Sequence, residues 1–167
     1  MNYLSITFLL FCISCSWNTA TISTGYGQPT IIHSIKHTDP GDDYTIKTIA
    51  VVLDNVEFNI SDHQYETEGD RFNSISVGAK YHLTKTFNFY FVDIGAGFKL
   101  TEFDERNKWL ADSHFLADIS FSTGIIKEFE GFDVRLSYMF QHLSVPWRHD
   151  KGLNYDVFQF RIDIPFF

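Results

Sequence analysis

Apolar and polar residues alternate with a period of two along most of this chain. Phe115, Ala117, Ile119 and Phe121 alternate with Leu116, Asp118, Ser120 and Ser122. Asn73, Ile75, Val77, Ala79 and Tyr81 interleave with Ser74, Ser76, Gly78 and Lys80. Phe132, Val134, Leu136, Tyr138 and Phe140 do the same with Asp133, Arg135, Ser137, Met139 and Gln141, and Phe158, Phe160, Ile162 and Ile164 with Gln159, Arg161 and Asp163. Side chains two apart share a face of a strand, so each run predicts a strand with one oily and one polar face. No helical period competes with it.

A soluble sandwich alternates too, so three further features decide the architecture. The runs from Phe87 to about Thr101 and from Phe132 to Ser144 are long enough, at roughly ten residues or more, to cross a bilayer as tilted strands. Thr84-Lys85-Thr86 and Glu128-Phe129-Glu130-Gly131 read as tight turns, whereas Asn59–Asp70, Glu102–Asp112 and Val145–Leu153 read as longer polar loops. Short turns at one rim and long loops at the other belong to outer-membrane barrels. The sequence also closes on Ile164-Pro165-Phe166-Phe167, an aromatic ending that resembles the C-terminal signature of such barrels. The expectation is therefore an all-β protein, an eight-stranded antiparallel transmembrane β-barrel of the bacterial outer membrane.

Counting back from the C-terminus places strands near 154–166, 132–144, 113–127, 87–101, 71–83 and 44–58. The count of eight then requires two short strands between Thr21 and His37, with His37–Asp42 as a tight turn. A barrel of that size is filled by its own side chains. Asp93, Asp118, Ser120, Ser122, Arg135, Gln159, Arg161 and Asp163 are the expected filling, because charges facing lipid are expensive. Trp109 and Trp147 fall in loops that would lie at the membrane interface.

Composition narrows the picture. The chain has 167 residues, enough for one domain, a net charge of −8 and 17% aromatic residues. No Lys/Arg cluster provides a nucleic-acid footprint, so a nucleic-acid partner is not expected. An apolar run from Leu4 to Cys15 is the length of a signal-peptide core and too short for a membrane helix. Residues 1–20 are read as a signal peptide and 21–167 as the barrel. Ile13-Ser14-Cys15 only partly fits a lipoprotein cleavage site, because Cys12 stands where a Leu is wanted, so ordinary cleavage is the expectation over lipidation at Cys15. Both cysteines lie in the leader, which leaves no disulfide framework.

Against this background three residues stand out. His142 and Ser144 share the oily face of Phe132 to Phe140, and Asp156 shares that of Phe158 to Ile164. Centring the Val145–Leu153 loop sets His142 opposite Asp156 and Ser144 opposite Asn154, close enough across an antiparallel pair for hydrogen bonds. A hydroxyl, an imidazole and a carboxylate make a nucleophilic triad: Ser144 to attack, His142 as base, Asp156 to orient the imidazole. Near the extracellular rim and turned toward lipid, they would meet the ester bonds of an outer-leaflet lipid.

At these residues the chain resembles the lipid A 3-O-deacylases of PagL type. Phe140-Gln141-His142-Leu143-Ser144 matches the family's Phe-x-His-x-Ser, Lys151-Gly152-Leu153-Asn154 resembles the end of its loop, and Asp156 falls on its acid. The likeness is specific over Tyr138–Phe167 and architectural upstream. It implies metal- and cofactor-free hydrolysis of the ester-linked acyl chain at the 3-position of lipid A, with lipopolysaccharide as the partner. There are two departures. Asp156 stands for the family's usual Glu, and Val145 stands where the family has an Asn that helps form the oxyanion hole. Losing one such donor costs roughly 10²–10³ in rate, and Asn154 or a backbone N–H is expected to supply part of the function.

Simpler readings stand beside these. The polar trio is also what two strands leaving a membrane would carry, and a non-catalytic barrel with a structural, adhesive or binding role in its loops is the rival function. His149 and Asp150 beside His142 make a weak metal set, better read as solvated loop. The acidic stretch Asp62–Asp70 and the scattered His33, His37, His63, His82 and His114 are read as loop or lumen residues. The sequence does not set the oligomeric state, and a homodimer is among the states left open.

Overall fold

The computed structural model of the protein describes residues 18–34, 37–40, 43–67, 70–103, 114–146 and 152–166. Eight long strands close into an antiparallel barrel: β1 (Asn18–Ser34), β3 (Asp43–Leu53), β4 (Val56–Thr67), β5 (Asp70–Phe87), β6 (Tyr90–Phe103), β7 (Phe115–Phe129), β8 (Phe132–Ser144) and β9 (Gly152–Phe166). Each pairs with the next, and β1 also pairs with β9 from Asn18↔Phe166 to Ile32↔Gly152, which closes the ring. A short β2 (His37–Pro40) folds back only on the far end of β1.

The expected architecture and number of spanning strands hold, but two boundaries differ. Thr21–His37 is not a pair of short strands; it belongs almost wholly to the single strand β1. The missing strand lies instead in the segment read as the Asn59–Asp70 loop. The chain turns at Asp54-Asn55, and residues 56–67 pair in register with both β3 and β5. Polarity misleads here because β4 alternates outward Phe58 and Ile60 with inward Glu57, Asn59, Ser61 and His63, and a polar lumen face resembles a loop in sequence. The turn expected at Thr84–Thr86 comes later, at Asn88-Phe89, where Asn88 takes a φ of 56°, a left-handed conformation that asparagine tolerates. The Glu130-Gly131 turn is where the sequence puts it, with Gly131 at φ 89°.

Most of the leader reading, Cys12 and Cys15 included, lies outside the described residues, as do Trp109, Trp147, His149 and Asp150. Asn18–Ala20, assigned to the leader, pair with β3 and β9.

The outer wall is apolar. Phe158 is 74% exposed, Phe89 70%, Ile49 67% and Ile75 61%. Burying side chains of this size gains roughly 1.5–3 kcal/mol each, so a wall of them is stable only in hydrocarbon. Near the tight turns Phe87, Phe89, Tyr90, Phe129, Phe132 and Phe166 are exposed, forming the aromatic girdle typical of one membrane interface. Backbone groups need no lipid partner, because a closed barrel has no edge.

The interior is polar and filled. Asp118 accepts from both Lys80, at 2.9 Å, and Gln141 Nε2, at 2.9 Å to each carboxylate oxygen. Toward the tight-turn end, Arg135 pairs with Asp163 at 2.7 Å, Arg161 with Glu57 at 3.2 Å, and His82 with Asp93 at 2.8 Å. Arg135, Asp163, Arg161, His82 and Asp93 line a cavity of about 490 Å³. It does not continue through the barrel. At the loop end Tyr44 and Tyr155 stack with ring centroids 3.8 Å apart, the Tyr44 hydroxyl lies 2.6 Å from His63 Nδ1, and Ile46, Leu116, Leu143, Val145, Leu153 and Val157 pack around them.

Candidate active site on the lipid-facing wall

The last hairpin carries the site. On β8 the outward positions read Leu136, Tyr138, Phe140, His142, Ser144, and on β9 Asn154, Asp156, Phe158, Phe160; the intervening Met139, Gln141, Leu143, Tyr155 and Val157 are buried in the lumen. His142, Ser144, Asn154 and Asp156 are thus all on the outer face, as the sequence reading has them, and each is half-buried there.

Their pairing differs from the expected one. His142 stands opposite Asn154, Ser144 opposite Gly152, and Asp156 opposite Phe140. The expectation of His142 facing Asp156 and Ser144 facing Asn154 is therefore wrong by two residues. Its cause is the loop length: Gly152 and Leu153 belong to β9, anchored by Leu153, which is buried in the lumen opposite Leu143. A slip of two preserves every face and changes every partner.

The chemical consequence is a change of orienting group. His142 Nδ1 lies 2.6 Å from Asn154 Oδ1. With that oxygen as acceptor, Nδ1 carries the proton and Nε2 keeps its lone pair, which is the tautomer a general base needs. Asp156 is engaged elsewhere: the Tyr138 hydroxyl donates to Asp156 Oδ1 at 2.5 Å, and the Tyr138 ring meets Phe158 edge-on at 5.6 Å. The sequence reading overlooks Tyr138, although its position four residues before His142 on the same face is a usable signal.

Gly152 shapes the space beside the nucleophile. A Cβ built there would lie 2.9 Å from the Leu143 carbonyl oxygen, 3.4 Å from His142 Cε1 and 3.7 Å from Ser144 Cβ, so only a glycine lets β9 pass this closely beneath the imidazole and Ser144. No hydrogen bond joins His142 to Ser144 directly; catalytic contacts of this kind often close only around substrate. Val145, the departure from the family pattern, turns inward and is buried in the apolar plug, so its side chain does not reach the outer face. Among the described residues no group of three His, Cys, Asp or Glu side chains gathers as a metal site.

A closed antiparallel ring of eight long strands, oily outside and charged within, defines the class: this is a bacterial outer-membrane β-barrel protein. Comparison with solved structures agrees on the fold. The chain is similar to Neisserial surface protein A (NspA), with 12% identity over 89% of this chain and 97% of that one and a TM-score of 0.53. It is also similar to the N-terminal β-barrel domain of Pseudomonas aeruginosa OprF, with 17% identity, 88% and 97% coverage and a TM-score of 0.45. The attachment invasion locus protein Ail of Yersinia pestis gives 12%, 90% and 99%, with a TM-score of 0.41. No protein-family profile and no curated protein sequence matches the chain.

Proposed function

We propose that this barrel is an esterase of outer-leaflet lipid, removing an ester-linked acyl chain, the 3-O chain of lipid A, with Ser144 as nucleophile and His142 as base. The observation that carries the reading is the 2.6 Å contact between His142 Nδ1 and Asn154 Oδ1 on the outer face of a hairpin that presents Phe140, Phe158 and Phe160 to lipid. A polar pair facing lipid is costly and lacks an obvious structural purpose. Its arrangement is that of a Ser-His-Asn set, in which a neutral amide fixes the imidazole as it does in the Cys-His-Asn proteases.

The reaction follows from these roles. Ser144 Oγ attacks the ester carbonyl while His142 Nε2 takes its proton. The tetrahedral intermediate collapses, the carbon–oxygen bond to the sugar breaks, and the imidazolium protonates the leaving alkoxide. Water, deprotonated by the same nitrogen, then releases the fatty acid from Ser144. Asn154 holds the ring throughout, and its Nδ2 group is a donor on the same face. With Val145 turned into the barrel, that amide is the side-chain donor left on this face for the oxyanion.

The test is a mass spectrum of lipid A from cells expressing the wild type beside Ser144→Ala. A species lighter by one hydroxyacyl chain, seen only with the wild type, is the expected result. Unchanged lipid A with the barrel folded in the outer membrane would overturn the esterase and favour a non-catalytic barrel acting through its loops.

A further inference from the structure

A second lipid-facing feature lies along the same hairpin. Tyr26 of β1, Phe158 of β9 and Tyr138 of β8 fall in one row across the wall, and Thr24, Phe160 and Leu136 in the next row toward the tight turns. Between these rows runs an outward-facing groove of about 510 Å³. Both tyrosine hydroxyls are tied off on its extracellular side, Tyr26 to Asp43 and Tyr138 to Asp156, so the lining left to the groove is almost wholly hydrocarbon. In a bilayer such a depression has one chemical class of occupant, an acyl chain.

The groove is not where the scissile chain goes. Tyr138 lies six residues from Ser144 along β8, a separation of roughly 20 Å at about 3.3 Å per residue. Strands of such barrels tilt by about 45°, whereas acyl chains run near the membrane normal. A chain esterified at Ser144 therefore descends over β7 and β6, away from this seam. A diacyl phospholipid carries its chains on neighbouring carbons and has no second chain to place that far off. A glycolipid with several chains spread over a disaccharide does.

We propose that the groove seats a second acyl chain of the same lipid whose ester lies at Ser144, so that the wall recognises a multi-acylated glycolipid through two separated subsites. The inference rests on the esterase reading for its substrate, and Asp156, free of the imidazole, serves it by anchoring the Tyr138 ring that walls the groove.

The experiment separates the two ideas. The photo-crosslinking residue p-benzoylphenylalanine is placed at Leu136, in the groove, or at Phe58 of β4, on the far side of the barrel; the native side chains are 50% and 47% exposed. Each full-length protein carries Ser144→Ala, so no turnover is needed, and is reconstituted in phosphatidylcholine vesicles containing a few mole per cent of purified hexa-acyl lipid A. Adducts are counted by mass spectrometry. Lipid A enriched severalfold over its mole fraction at position 136, and near its mole fraction at 58, is the expected result. Equal incorporation at the two positions overturns the groove assignment whatever the hydrolysis assay shows. As a second readout, Thr24→Phe fills the groove without touching Ser144, His142 or Asn154. It should depress lipid A turnover severalfold and leave hydrolysis of a short-chain p-nitrophenyl ester unchanged; unaltered lipid A turnover also overturns the proposal.

Discussion

Replacing Asn154 or Asp156 tests which of them orients His142. Asn154→Ala removes the acceptor 2.6 Å from His142 Nδ1. A neutral hydrogen bond of this kind is worth about 0.5–1.5 kcal/mol net, and holding one side chain in a single rotamer costs about 0.5–1.5 kcal/mol more once the bond no longer does it. Together that is about 1–3 kcal/mol of barrier, or roughly 5- to 150-fold in rate. Asp156→Asn changes much less. Its amide oxygen still accepts from the Tyr138 hydroxyl, and no contact to His142 is lost. Asn154→Asp restores an acceptor and adds a charge that stabilises the imidazolium, so it should be at least as active as the wild type. The assay is the time course of lipid A deacylation in isolated outer membranes, with heat-modifiable migration on gels as the check that each barrel is folded. The reasoning fails if Asp156→Asn is as inactive as Ser144→Ala while Asn154→Ala runs at the wild-type rate, since the sequence-derived triad would then be the working one.

Two further predictions concern the fold. Asp118→Ala leaves Lys80 and Lys99 buried without their shared carboxylate; breaking a buried pair in this way costs about 3–5 kcal/mol, to be read as a lower urea midpoint in lipid vesicles, with the Asp118→Ala/Lys80→Met double variant regaining part of it. Ile49→Arg places a charge on a wall position that is 67% exposed; a membrane barrel should lose about 2–4 kcal/mol there, whereas a soluble protein would hardly notice, so an unchanged unfolding curve in vesicles would contradict the assignment of this face to lipid.

Where the sequence reading of the fold succeeds and fails has one physical origin. Period two tells inside from outside, and that much is legible: Asp93, Asp118, Arg135, Arg161 and Asp163 all lie on the lumen side. The outward rows of β5, β7, β8 and β9 follow in the same way. Turns are harder, since a lumen-facing strand and a polar loop share a composition. Most of β4, from Asn59 to Thr67, therefore passes for a loop, although Asp54-Asn55, a pair well suited to a tight hairpin, marks where the strand begins. The count of eight came right because one strand too many near the N-terminus offset one too few in the middle.

The site shows the same limit more sharply. Alternation puts His142, Ser144, Asn154 and Asp156 on one face, and they are there. Which of them meet depends on register, set by where the chain re-enters the sheet after Ser144. A one-residue slip would throw the oily face into the lumen and is strongly disfavoured; a two-residue slip moves no side chain across the wall and leaves the hydrophobic pattern intact. Here the difference is decided inside the barrel, where Leu153 and Tyr155 pack beneath the loop end. That packing brings Asn154, in place of Asp156, to His142. The identity of the orienting group thus depends on side chains that face away from the site, and the pattern of the outward face carries no information about it.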